Sequence, residues 1–244
     1  MGATYFHPDL IPADESERLE ALRRYQVLSA PGQRLFNDLV SIVAKLFGVP
    51  IALVSLVGAE DVVFAGNAGL PGLERAPRPD SLCSVAILQD GITVYENLLL
   101  RPCHLTNSGA AQALNLQFYA GSALRTADGY PIGTLCVMDH TPRSFSVEES
   151  ILLDSLGDVA MALLDLRMAL ETDVALAPAL WRRINDGISQ SLTRIDTLAS
   201  LQGWETSPDT AAALAYQQSR HEEATRVVRV LHNELRQVLA SLPG

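Results

Sequence analysis

The chain has 244 residues, a formal net charge of −10, 48% hydrophobic residues and 19% charged residues. The apolar fraction is enough for a core and excludes wholesale disorder, and the length suits one large or two small domains. The acidic balance argues against nucleic acid and anionic membrane partners, which need clustered Lys and Arg.

Residues 1–13 read as a loose tail containing Pro8 and Pro12. The start lacks the basic stretch and apolar run of a signal peptide. The run Leu46–Ala59 is too short to span a bilayer, which needs about 20 residues. A cytoplasmic protein is therefore expected. Leu19, Leu22 and Leu28 mark one face of a first helix, with Asp14 or Ser16 as N-cap and Pro31-Gly32 as its end. Leu35, Leu39, Ile42, Val43 and Leu46 mark a second, stopping at Gly48.

The period then becomes strand-like. Ile51–Val57 pairs with Asp61–Ala65 through a Gly58-Ala59-Glu60 turn. Residues 66–80, rich in Gly and Pro, read as loop. Ser81 caps a short helix over Leu82–Leu88, and Ile92–Glu96 is a short strand. Residues 97–116 show no period and read as a long excursion, of the kind usually functional or mobile. Phe118–Arg125 and Tyr130–Met138 form a second hairpin around Ala127-Asp128-Gly129. Val147–Leu170 is helical, with Ser146 as N-cap and Glu148 and Glu149 in the first turn. This order predicts an α+β domain over 14–170, with a mainly antiparallel sheet and helices on one face.

Residues 171–244 carry only helical periods. Leu180, Ile184, Ile188, Leu192, Ile195, Leu198 and Leu201 form one stripe. Leu214, Gln217, His221, Ala224, Val228, Leu231, Leu235, Val238 and Leu242 form a second, heptad-like stripe. A C-terminal helical hairpin is expected, serving output or dimerisation. It would dock on the Val147–Leu170 helix or on a second copy, making a homodimer.

The segments LEALRRYQVLSAP (19–31), FNDLVSIVAKLFGVPIALVSLV (36–57), RPDSLCSVAIL (78–88), FYAGSALRTADGYPIGTLCVMD (118–139) and FSVEE (145–149) resemble a GAF domain. The branch is the one found in bacterial sensor kinases and cyclic-dinucleotide enzymes. The resemblance implies a five- or six-stranded antiparallel sheet with helices on one face and a loop-closed pocket on the other. The chain departs from the family's R-x-x-S-F-C-x-H-A-I pattern, with Leu82 at the Phe position and Val85 at the His position. A further departure is LLLRPCHLTNSG, where an acidic and aromatic stretch is usual.

The implied ligand-binding residues are Ser81, Cys83, Val85, Tyr119 and Thr134. Cys83, near a helix start, is a candidate redox or ligand-contacting thiol. Period two sends Phe118 and Tyr119 to opposite faces, so only one can meet a ligand. Cys136 reads as strand packing. Three cysteines do not make a disulfide framework. Cys103-His104 lies in a loop and lacks the helical setting of a bilin attachment site. His7, His104, His140, His221 and His232 are scattered, so no metal site is expected. His221 sits on the second helical seam, where a register-setting polar residue suits it better than a phosphoacceptor.

The function expected from this reading is a non-enzymatic sensor or regulator. It would bind an unnamed small molecule, or sense redox state, and relay the change to its C-terminal helices and a partner such as a kinase. After the sensor and one hairpin, no length is expected to remain for a kinase or cyclase. No pattern names a cofactor. One alternative is a free methionine-(R)-sulfoxide reductase-like enzyme, with Cys83 as catalytic and Cys103 as resolving thiol. Another is a ligand-free interaction module with Leu82, Val85 and Tyr119 plugging the pocket.

Overall fold

The computed structural model describes residues 7–25 and 33–172, together with scattered helical positions between Asp186 and Gln237. The elements in chain order are α1 (Glu15–Arg23), α2 (Gln33–Phe47), β1 (Ile51–Val57), β2 (Asp61–Ala68), β3 (Arg75–Pro77), α3 (Cys83–Ala86), β4 (Thr93–Tyr95), α4 (Ser108–Ala113), β5 (Phe118–Arg125), β6 (Pro131–Asp139) and α5 (Val147–Thr172). Six strands form one antiparallel sheet in the order β3-β2-β1-β6-β5-β4.

The two anticipated hairpins supply four of the strands, and β1 and β6 join them at the centre. Both central strands are buried on both faces, which explains why they read as continuous apolar runs rather than alternating ones. One face carries Ala52, Val54, Leu56, Leu135, Val137, Phe118 and Ala120 into a core with α2 and α5. The other carries Leu53, Val57, Cys136, Met138 and Tyr119 into a second core under α3 and the loops. The long helices thus share one face, as expected, while the short α3 lies on the other.

Gly66 in β2 sits directly beneath α2. A Cβ there would lie 2.7 Å from the Phe36 carbonyl oxygen, so only glycine lets the helix pack this close. Ser146 caps α5 as anticipated. Its hydroxyl accepts from the Glu149 N–H at 3.1 Å, and the Glu149 carboxylate accepts from the Ser146 N–H at 2.9 Å. Asp14 stands at the N-cap of α1 but makes no side-chain cap hydrogen bond.

Two elements differ from the sequence reading. The Gly/Pro-rich stretch 66–80 contains β3, a three-residue edge strand whose Pro77 lacks the N–H a central strand would need. The excursion 97–116 contains α4, a single alanine-rich turn and a half with no buried residue. Neither is long enough to show a period. Most of the expected C-terminal hairpin lies outside the described residues. Ala224, Val228 and Leu235, on its second stripe, are buried within the same core as α5.

A buried ionic cluster ties α1 to the sheet. Arg18 is fully buried and Arg78 nearly so. Glu15 accepts hydrogen bonds from both guanidinium groups. Arg18 also donates to the Val57 and Pro131 carbonyls, and Arg78 to those of Leu10 and Gly58. Burial by itself would raise the Glu15 carboxyl, but the two arginines outweigh it and hold it below its ordinary value.

Glu15→Gln removes the carboxylate that both buried guanidinium groups share. A loss of about 3–5 kcal/mol of folding stability is expected in chemical denaturation. Because the folded-state pKa is depressed, Glu15 stabilises the fold above its unfolded pKa, and that contribution is lost as pH falls through the folded value. The wild-type chain should therefore lose more stability on acidification than the variant does.

Candidate functional site

The loop face of the sheet places a polar line inside an apolar core. Ser55 on β1 is opposite Thr134 on β6, and their hydroxyls hydrogen-bond at 2.7 Å. Two pairs further along, on the same face, Cys136 lies between Leu53 and Gly121. Over it sits Cys83, the first residue of α3, with the two sulfurs 3.8 Å apart. The Ser81 hydroxyl accepts the Cys83 backbone N–H at 3.3 Å. All three cysteines of the chain are free and buried.

Tyr119 is fully buried beside this pair. Its ring reaches along β5 over Gly121, where a Cβ would collide with the phenol oxygen. Gly121 is therefore the residue that lets the hydroxyl reach the thiols. That hydroxyl makes no hydrogen bond with any described residue. A buried polar group in this state is uncommon and points to a missing partner. Burial and the neighbouring Cys83 and Cys136 push its pKa well up, so it stays a neutral donor. The Tyr95 ring packs against Tyr119 edge-on, with centroids 6.5 Å apart, and its hydroxyl contacts Cys103.

The hydrogen bond from the Cys136 thiol lowers the Cys83 pKa to about 6, with help from the Ser55, Thr134 and Ser81 hydroxyls and against the effect of burial. The same bond holds Cys136 well above its ordinary value. The two thiols are coupled, and Cys83 is the one whose thiolate is favoured. The cause is not the helix start suggested by sequence, because α3 has only four residues and little dipole.

A cavity of about 70 Å³ opens on this group, lined by Ser81, Leu82, Cys83, Tyr119, Met138 and residues of α4. It shares Leu82, Ala111 and Leu116 with a neighbouring recess of about 200 Å³ beside Cys103. Of the residues singled out from sequence, Ser81, Cys83 and Tyr119 line the cavity, and Thr134 and Val85 do not. Thr134 supports the site through Ser55, and Val85 is packed into the core beside it. Phe118 faces the opposite core, as the strand period requires. The residue missed was Cys136. Its neighbours in sequence read as core, and its contact with Cys83 spans 53 positions.

The family model for the GAF domain matches residues 31–164. The chain belongs to the GAF domain family. A cyclic di-GMP phosphodiesterase of Pseudomonas aeruginosa is 30% identical over 152 residues, which are 62% of this chain and 26% of that protein. The chain thus spans about a quarter of the length of the curated relative it matches. Among solved structures, the GAF domain of an Acinetobacter phosphoenolpyruvate-protein phosphotransferase is 18% identical (TM-score 0.48, covering 64% of this chain and 98% of that one). The type II free methionine-R-sulfoxide reductase of Thermoplasma acidophilum is 17% identical (TM-score 0.46, covering 57% and 96%).

The phosphodiesterase match overturns the expectation of a non-enzymatic chain, because a relative 30% identical over 152 residues is named as an enzyme. No helix among the described residues is long and apolar enough to cross a membrane.

Tyr119→Phe removes a buried hydroxyl that has no partner among the described residues. Such a group costs about 1–3 kcal/mol when left unsatisfied. The variant should be as stable as the wild type or up to about 1 kcal/mol more stable. Thermal denaturation checks this, and a loss of stability would show instead that the hydroxyl is hydrogen-bonded in the folded protein.

Proposed function

We propose that this chain is a sensing GAF unit acting in cyclic di-GMP turnover. Its loop-face pocket receives a small-molecule or redox signal, and α5 relays the change to the C-terminal helices. The observation that carries this reading is the 30% identity to a cyclic di-GMP phosphodiesterase. The geometry lends support. The two recesses share walls formed by Leu82 and α4, and together they approach the lower end of the roughly 300–1,000 Å³ typical of ligand pockets. Moving α4, which buries no residue, would merge them.

The relay has a material path. β5 carries Tyr119 on the pocket face, and on the other face Ser122 donates to Asp154 of α5 at 2.8 Å. From α5 the contact continues to the C-terminal stripe. A groove there is lined by Ile151, Leu152, Asp158, Val228, Arg229 and His232. Asp158 is raised by burial and by nearby Asp154, while His232 and Arg236 oppose the rise. A signal is transmitted only if it favours one arrangement of this helix pair over another.

The sulfoxide-reductase alternative is weakened at one point. Its resolving thiol was assigned to Cys103, yet the sulfur beside Cys83 belongs to Cys136, and Cys103 contacts Tyr95. The plugged-pocket alternative required Leu82, Val85 and Tyr119 to fill the space, and a cavity remains between Leu82 and Tyr119.

Hydrogen–deuterium exchange of the full chain tests the reading, with cyclic di-GMP, cyclic AMP, cyclic GMP and free methionine sulfoxide as separate probes. Protection of 97–116 together with altered exchange along α5 is expected for at least one probe. Unchanged exchange in both regions with all four would overturn the small-molecule reading. Val228→Asp should keep the protection at 97–116 and abolish the change in α5.

A further inference from the structure

The Cys83–Cys136 pair offers more than a generic pocket wall. Two free sulfurs 3.8 Å apart are already in contact, and a disulfide requires them to close to about 2 Å. They lie on different elements, α3 and β6, so a bond between them would tie the loop face to the central strand. Beside them is a cavity of about 70 Å³, roughly half the volume that takes up benzene, with room for a few molecules the size of water. An organic ligand does not fit there without movement, but a small oxidant does. The fully buried Tyr119 hydroxyl, without a partner among the described residues, supplies a hydrogen-bond donor at the same spot.

We infer that Cys83 and Cys136 form a peroxide-reactive dithiol, with the Tyr119 hydroxyl as the donor that receives the peroxide oxygen. The inference deepens the sensor reading by naming one signal class for the pocket, a small hydroperoxide.

The chemistry balances in two steps. The Cys83 sulfur attacks one peroxide oxygen, forming an S–O bond as the O–O bond breaks. The other oxygen takes up the proton that Cys83 gave up on ionising and leaves as water or alcohol, and Cys83 becomes a sulfenic acid. The Cys136 sulfur then attacks the Cys83 sulfur, forming the S–S bond as the S–O bond breaks. The departing hydroxide takes the Cys136 proton and leaves as water. Two thiols are oxidised by two electrons in total, and one hydroperoxide is reduced. Cys83 is the attacking sulfur because the Cys136 thiol and three hydroxyls favour its thiolate. Tyr119 stays protonated and so can donate to the oxygen in both steps.

The test treats the full-length chain with a few equivalents of hydrogen peroxide and maps the thiols by mass spectrometry without reduction. A loss of two hydrogens confined to a Cys83–Cys136 cross-linked peptide pair is expected, and Cys103→Ser should behave the same way. In Cys136→Ser, Cys83 should stop at the sulfenic acid and be trapped by a cyclic 1,3-dione. In Tyr119→Phe, the second-order rate should fall about tenfold while both thiols still pair. Cys83 and Cys136 remaining reduced under these conditions, or a Cys83–Cys103 product, would sink the proposal. This readout follows sulfur chemistry alone, so it separates from the exchange experiment. A disulfide without altered exchange in α5 would keep the dithiol and remove its signalling role.

Discussion

The burial of β1 and β6 on both faces is the constraint on which the rest of the structure depends. A sheet covered on both sides divides the interior into two cores, and its central strands are buried between them. Their backbone groups are satisfied by the ladder. Each polar side chain on these strands must then find a partner within the protein or remain unpaired at a cost. Ser55 and Thr134 solve this by facing each other. Cys83 and Cys136 solve it by hydrogen-bonding each other. Tyr119, on the adjacent β5, has no such partner among the described residues, and its hydroxyl becomes the chemically open point of the loop-face core.

The two cores are built for different work. The helix-face core is assembled from long elements, α2 and α5, and from the close approach that Gly66 allows. The loop-face core is covered by short elements whose hold is local. The Asn107 side-chain amide donates to Asp80 at 2.7 Å, and the Asn107 N–H to the Pro79 carbonyl at 2.8 Å. Those two bonds tether the excursion beside the cavity, while α4 itself buries nothing. Local opening is cheapest where few apolar contacts must be broken, so this cover is the natural moving part. At the far edge, Glu15, Arg18 and Arg78 clamp the N-terminal helix to the ends of β1 and β6. That end is held by buried charge.

β5 connects the two sides because a strand must present alternate residues to opposite faces. Tyr119 reports on the cavity, and Phe118 and Ser122 touch the α5 side. A displacement at the thiol pair therefore has one strand to cross before it reaches the helix.

Much of this was legible in the sequence. Alternation set Phe118 and Tyr119 on opposite faces, turn residues set the two hairpins, and Ser146 with Glu149 set the start of α5. These are local rules, in which neighbours within four positions decide the outcome. The family pattern extended them to the sheet and to Ser81, Cys83 and Tyr119. What stayed hidden was non-local or too short to have a period. β3 and α4 are of the second kind. Cys136 is of the first, since its sequence neighbours make it one more core residue, and only the antiparallel pairing of β1, β6 and β5 brings it under Cys83. The sequence by itself determined which residues are buried and which side of each strand they take. The tertiary structure decided which buried groups meet, because contact across a sheet depends on register and not on spacing along the chain.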